Sequence, residues 1–194
     1  MRCWKNANKL LLCLLLLWSG WLHAEGIVIH KAEVRVSEDS FQLATDFKIS
    51  LSPVVDQALS HGVTIYFVSE FSVVRSRWYW LDEQIAKSGQ TIKLSYNILT
   101  RQYRIARGML YQNFPSLEEA LQTIQHQSSA PIPTGSLKKD GNYLASARLK
   151  LDVAQLPKLL QVNALTSKEW ELDSNSYRWV LRPEDVLQYG ENAH

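Results

Sequence analysis

The chain has 194 residues, 46% of them hydrophobic and 21% charged, with 8 Gly and 6 Pro. That composition fits one globular domain and excludes collagen-like, coiled-coil and wholly disordered chains. The formal charge of +2, from 21 Lys and Arg against 19 Asp and Glu, lacks the strong basic excess of a nucleic-acid binder, so no nucleic-acid partner is expected.

Residues 1–24 read as a secretory signal peptide. Arg2, Lys5 and Lys9 supply the positive n-region, residues 10–22 are almost wholly apolar, and His23-Ala24 closes the segment. An apolar run of this length rises roughly 20 Å as a helix, short of the roughly 30 Å hydrocarbon core. Cleavage after Ala24 is therefore expected, with Glu25 as the new N-terminus and the periplasm as the destination. Leu22 is not the small residue favoured three positions before a cut, which leaves an inner-membrane anchor through an uncleaved signal as the alternative. Both cysteines, Cys3 and Cys13, lie inside this segment, and Cys13 sits among leucines rather than at a lipidation site. The remaining 170 residues carry 18 Lys and Arg against 19 Asp and Glu, a net charge of −1, and no disulfide.

In the mature chain, residues 26–36 open with β-branched side chains, and Ser37-Glu38-Asp39-Ser40 reads as a turn. Phe41, Leu43, Phe47, Ile49 and Leu51 alternate with polar residues, predicting a half-buried strand. Ser52-Pro53 then places a capping hydroxyl and an N1 proline before a short amphipathic helix that ends at His61-Gly62. A long β run follows over residues 63–80, whose apolar phase shifts from odd to even positions and predicts a bulge or break between Ser69 and Ser76. Strands are expected over residues 91–97 and 101–112. Ser116 with Glu119 has capping-box spacing and predicts a helix to about Gln127. Residues 128–140, with Pro131, Pro133 and Gly135, read as a flexible loop. Tyr143, Ala145, Ala147, Leu149 and Leu151 mark another strand, Tyr177, Trp179 and Leu181 a last one, and residues 186–194 a frayed tail. The expected fold is mainly β: an antiparallel β-sandwich of Ig-like architecture, with about seven or eight strands and two short helices, in one domain over residues 25–185.

Three patches carry recognisable chemistry. The first is Arg75-Ser76-Arg77-Trp78-Tyr79-Trp80 followed by Asp82-Glu83, where two guanidiniums stand beside three large aromatics. Arginine pairs with carboxylate or phosphate and aromatics offer stacking area; equally, Trp78 and Trp80 could anchor a core while the arginines pair with Asp82 or Glu83. The second runs from Leu94-Ser95-Tyr96 to Arg101-Gln102-Tyr103-Arg104. Residues 75–107 hold seven cations against two anions, and residues 25–70 three cations against seven anions. Such a charge dipole can orient a domain on a partner or an anionic surface, or reflect pairs across a sheet. The third, Leu151-Asp152 with Gln155-Leu156-Pro157-Lys158, reads as turn and capping chemistry.

With the Gln57-Ala58-Leu59 and Gly62 stretch, these motifs resemble a proteobacterial family of exported proteins of unknown function, a domain-of-unknown-function (DUF) family. Some of its members are labelled proline-rich signal peptide protein, although six prolines do not make this chain proline-rich. The resemblance covers nearly the whole mature chain and implies export without implying an activity.

Neither a metal nor a cofactor is expected. His23, His30, His61, His126 and His194 are scattered and form no ligand pair, no cysteine follows residue 24, and no nucleophile elbow, phosphate loop or dinucleotide fingerprint occurs. The sequence therefore points to a non-catalytic envelope interaction module, with a candidate binding patch of Arg75, Arg77, Trp78, Tyr79, Trp80, Arg101, Tyr103 and Arg104. Its partner would be an envelope protein or an anionic surface. The alternative is a carrier of a small ligand or anionic lipid, with a concavity lined by Trp78, Tyr79, Trp80, Tyr96 and Tyr103. Export has a direct check: mass spectrometry of the periplasmic fraction should find a chain beginning at Glu25, and an intact Met1 terminus in the membrane fraction would contradict it.

Overall fold

Strand β1 (Gly26–Val36) and strand β2 (Ser40–Ser50) form an antiparallel hairpin in the computed structural model, which describes residues 26–79 and 81–191. Residues 1–25, on which the expected signal peptide falls, Trp80 and residues 192–194 lie outside the described residues. The expected turn is closed by Ser37 N–H donating to Ser40 O at 2.7 Å. In β2 the alternation puts Phe41, Leu43, Phe47 and Ile49 in the core. Helix α1 (Pro53–Ser60) starts as its sequence predicts: the Ser52 hydroxyl accepts from Val55 N–H, proline occupies the first turn, and Gly62 leaves the helix end at φ 85°. The same hydroxyl donates to Glu169 O at 2.7 Å, tying the cap to a distant segment.

Strand β3 (Ile65–Arg75) carries Ile65, Phe67, Ser69, Phe71 and Val73 inward, all buried. It stops at Arg75, short of the expected end of the β run, because the chain turns at Trp78 and Tyr79 before strand β4 (Glu83–Asn97) begins. The register of this pair shifts between Val73 and Val74, inside the window where the phase change predicted a bulge. β4 begins eight residues earlier than its clean alternation suggested: Glu-Gln-Ile-Ala-Lys-Ser-Gly-Gln, residues 83–90, has no period of its own and is strand because β3 pairs with it. Residues 101–112 are likewise corrected, to two strands, β5 (Gln102–Arg107) and β6 (Leu110–Phe114), joined through Gly108 at φ 58°.

Helix α2 (Leu117–Gln125) has the expected cap, with Glu119 N–H donating to the Ser116 hydroxyl at 3.3 Å. The helix stops at Gln125, short of the expected Gln127, where the chain becomes strand β7 (His126–Ser128), and the segment expected to be a flexible loop over residues 128–140 holds β8 (Ile132–Pro133); both strands pair with β2. Strand β9 (Tyr143–Leu151) alternates as predicted. Helix α3 (Lys158–Thr166) then starts behind Pro157, and strand β10 (Tyr177–Leu181) pairs with β9. The frayed tail is corrected to helix α4 (Pro183–Glu191), with Val186 fully buried.

The strands form two antiparallel sheets, β1-β2-β7 with β8 also on β2, and β10-β9-β3-β4-β5-β6. Their inner faces enclose two apolar clusters. One joins Phe47 and Ile49 to Phe67, Ile92, Leu94 and Leu149, with α1 and α2 packed on it; the other joins Phe41 and Leu43 to Phe71, Val73, Tyr143 and Leu181. The mainly β, antiparallel two-sheet sandwich is therefore present, with ten strands and four helices among the described residues. The burial of large side chains on both inner faces supplies its main stabilisation, each contributing about 1.5–3 kcal/mol. Phe67→Ala should cost about 3–5 kcal/mol in urea unfolding. Val162→Ala, on an exposed face of α3, should stay within about 0.5 kcal/mol, and equal losses at the two positions would contradict this core.

Candidate functional site

The Arg/aromatic motif is the tip of the β3–β4 hairpin. Arg75 closes the last rung of the ladder opposite Glu83, and Ser76 N–H donates to Asn142 O at 2.9 Å, fixing the base of the loop. Arg75 and Arg77 both donate to the same Glu83 oxygen, Oε2, so one carboxylate clasps the two sides of the tip. Beyond this clasp three large side chains stand in solvent beside the exposed Asp82: Trp78 is 95% exposed, Tyr79 67% and Leu81 82%. The Trp78 and Tyr79 rings meet edge to face, with centroids 5.2 Å apart and planes at 73°. The core-anchor alternative for Trp78 is thus corrected, while the pairing of both arginines with Glu83 is present.

Arg101, Tyr103 and Arg104 lie elsewhere. Arg101 sits in the β4–β5 turn with φ 53°, where Asn97 Oδ1 accepts from Leu99 N–H and Thr100 N–H at 3.0 and 3.2 Å. Tyr103 faces Tyr96 across the ladder, ring centroids 4.8 Å apart, and burial raises its phenol pKa. Arg104 donates from Nε to Asn113 Oδ1 at 3.0 Å and lies 4.8 Å over the Tyr111 ring. Both groups flank β4, one at each end, and a 15-residue strand spans roughly 45 Å. The eight candidate residues therefore form two separate sets, Arg75, Arg77, Trp78 and Tyr79 at one end and Arg101, Tyr103 and Arg104 at the other, with Trp80 undescribed. Trp78 and Tyr79 cannot share a concavity with Tyr96 and Tyr103 across that distance.

The basic stretch is dispersed in the same way. Arg107 runs inward and donates to Thr123 O at 3.0 Å, burial lowering its pKa, and Lys93 lies 5.7 Å from the Tyr66 ring centre. On the neighbouring strand pair, Arg148 grips Asp173 and Lys150 pairs with Glu70 at 2.9 Å. The Leu-Asp motif is architectural: Asp152 accepts from Ala154 N–H at 3.1 Å, and Gln161 Nε2 donates to Ala154 O and Leu156 O at 2.7 Å each.

Among the described residues no group of three or more His, Cys, Asp or Glu side chains is placed to hold a metal ion, and no helix is long and apolar enough to cross a membrane. Clefts of about 300, 290 and 410 Å³ among the described residues are lined by other residues than the eight candidates. Sequence reasoning missed the full exposure of the tip, although the loss of alternation after Arg75 was its signal. It also missed Leu159, Val162 and Leu165, an exposed apolar stripe at three-residue spacing on α3.

Fold and surface define a two-sheet antiparallel domain whose most exposed aromatic feature is a hairpin tip. The chain belongs to the family described as Domain of unknown function (DUF4390), whose model matches residues 24–180. No curated protein and no solved structure matches the chain.

The clasp should be pH-sensitive. The Arg77 hydrogen bond, chiefly, holds the Glu83 carboxyl below the ordinary carboxylate range, with Arg75 adding to it and partial burial opposing. A carboxyl lowered on folding stabilises above its unfolded pKa, and that contribution is lost as pH falls through the folded value. Amide exchange in residues 76–82, corrected for intrinsic rates, should therefore rise below roughly pH 4. Glu83→Gln should raise it at neutral pH as well; unchanged protection in that variant would contradict the clasp.

Proposed function

We propose that the protein is exported to the cell envelope, where it works without catalysis as a protein-interaction module that presents the β3–β4 tip to an envelope protein. The observation that carries this reading is Trp78, Tyr79 and Leu81 exposed together on one rigidly based loop. An exposed apolar cluster of this kind marks a contact surface, and Trp and Tyr are the residue types enriched where binding energy concentrates. The clasp below them orders the loop before any partner arrives, which reduces the entropy cost of association.

A protein partner fits the tip better than an anionic surface does. Arg75 and Arg77 are matched within the loop region by Asp82 and Glu83, so the tip has little net charge to attract lipid headgroups or a polyanion. The carrier alternative needs the aromatics to converge on one cavity, and the length of β4 separates them. The signal-like first 24 residues support export, with the periplasm as the expected compartment.

The test is a photo-crosslinking residue at Leu81 in cells, read by adduct formation in the envelope. A discrete protein adduct is expected, lost in the Trp78→Ala, Tyr79→Ala double variant. Because both side chains are exposed, that variant should unfold within about 0.5 kcal/mol per site of the parent. An adduct that survives the double substitution would overturn the tip as the contact element.

A further inference from the structure

Beyond the tip, the large sheet contains an incomplete strand column. β4 pairs with β3 from Glu83 to Leu94, but β5 covers its other side only from Ile92 to Asn97. Residues 83–91 therefore present an outer edge with no strand partner among the described residues. Nine strand residues run roughly 27 Å, and about four of them turn their N–H and C=O groups outward. The β5–β6 turn at Gly108 lies at the end of this gap, since Arg107 stands opposite Ile92.

The small sheet leaves a second edge over the same gap. β7 and β8 pair with β2 on one side, and the segment between them lies against β4, where Ala130 N–H donates to the Ser88 hydroxyl at 3.3 Å. Two adjoining clefts of about 300 and 290 Å³ lie between the edges and share Phe71, Ser88 and Ala130 in their walls. Leu43 and Ile132 add apolar surface to the first. Pairing fixes which β4 side chains face inward: Ala86 opposite Val73 and Ser88 opposite Phe71 are small, and they leave room above the floor. On the outer face Lys87 stands opposite Ser72, exposed, with no carboxylate within ion-pair distance among the described residues.

We propose that this gap binds an extended segment of a partner protein as an added β-strand, continuing the column that β5 begins. The segment would hydrogen-bond through its backbone to residues 83–91 and place apolar side chains in the cleft. A carboxylate on its outer face would lie across from Lys87. A second copy of this chain fits worse. An antiparallel pairing of two such edges centred on residue 87 would set Lys87 against Lys87. The cleft is distinct from the tip, and its occupancy does not depend on Trp78.

The probe is an immobilised octapeptide that alternates valine with threonine and carries glutamate at a central outward position, tested against the mature chain. Retention is expected, with amide exchange of residues 84–91 slowed about tenfold or more and unchanged binding by Trp78→Ala. N-methylation of alternate peptide amides should abolish retention. Lys87→Glu should weaken the glutamate peptide about fivefold and favour its lysine counterpart. The proposal is overturned by no retention, by exchange at residues 84–91 that does not change, by equal binding of the N-methylated peptide, or by self-association through the same edge.

Discussion

The antiparallel pairing of β3 with β4 is the interaction on which the rest of the molecule depends. β3 is the strand that faces the small sheet through Ile65, Phe67, Phe71 and Val73, and it holds β9 on its other side. Removing it from the sheet would open both apolar clusters at once, because Phe67 belongs to one and Phe71 to the other. β4 is a strand over its whole length chiefly because β3 supplies a ladder for it, and the positions of the hairpin tip, the β4–β5 turn and the open edge follow from that length.

This geometry changes what the basic and aromatic composition means. A run of seven cations over residues 75–107 suggests a patch when written as a line. Folded, the run goes out along β4 and back along β5, and five of its seven charges are engaged locally: two by Glu83, one by the Thr123 carbonyl, and one each over the Tyr66 and Tyr111 rings. Lys87 and Arg101 stay exposed, and beside them the hairpin offers apolar side chains at the tip and backbone polar groups along residues 83–91. Those are two different recognition chemistries on one hairpin, side-chain anchoring at its end and strand addition along its flank.

Local chemistry was legible in the sequence wherever it acts within a few residues. Ser52-Pro53 and Ser116 with Glu119 cap their helices as their spacing requires, and Tyr143 to Leu151 alternates because one face of β9 is core. The mainly antiparallel β architecture followed from such segments. What stayed hidden depends on distant partners. Residues 83–90 carry no period and are strand only through β3, β7 and β8 are set by β2, and α4 is held where Val186 enters the second cluster. The candidate residues were found as types, but their division into two sets was invisible, since sequence nearness between Trp78 and Arg101 conceals a strand that carries them apart.

The central claim is that separation, and it can be measured without redesigning the chain, because no cysteine follows residue 24. Spin labels on single cysteines placed at Tyr79 and Leu99, both exposed, report their distance by double electron–electron resonance. The extended β4 predicts a single population at about 40–50 Å. A dominant distance below about 25 Å would mean that the two ends converge, and would contradict the division of the Arg/aromatic residues on which this account rests.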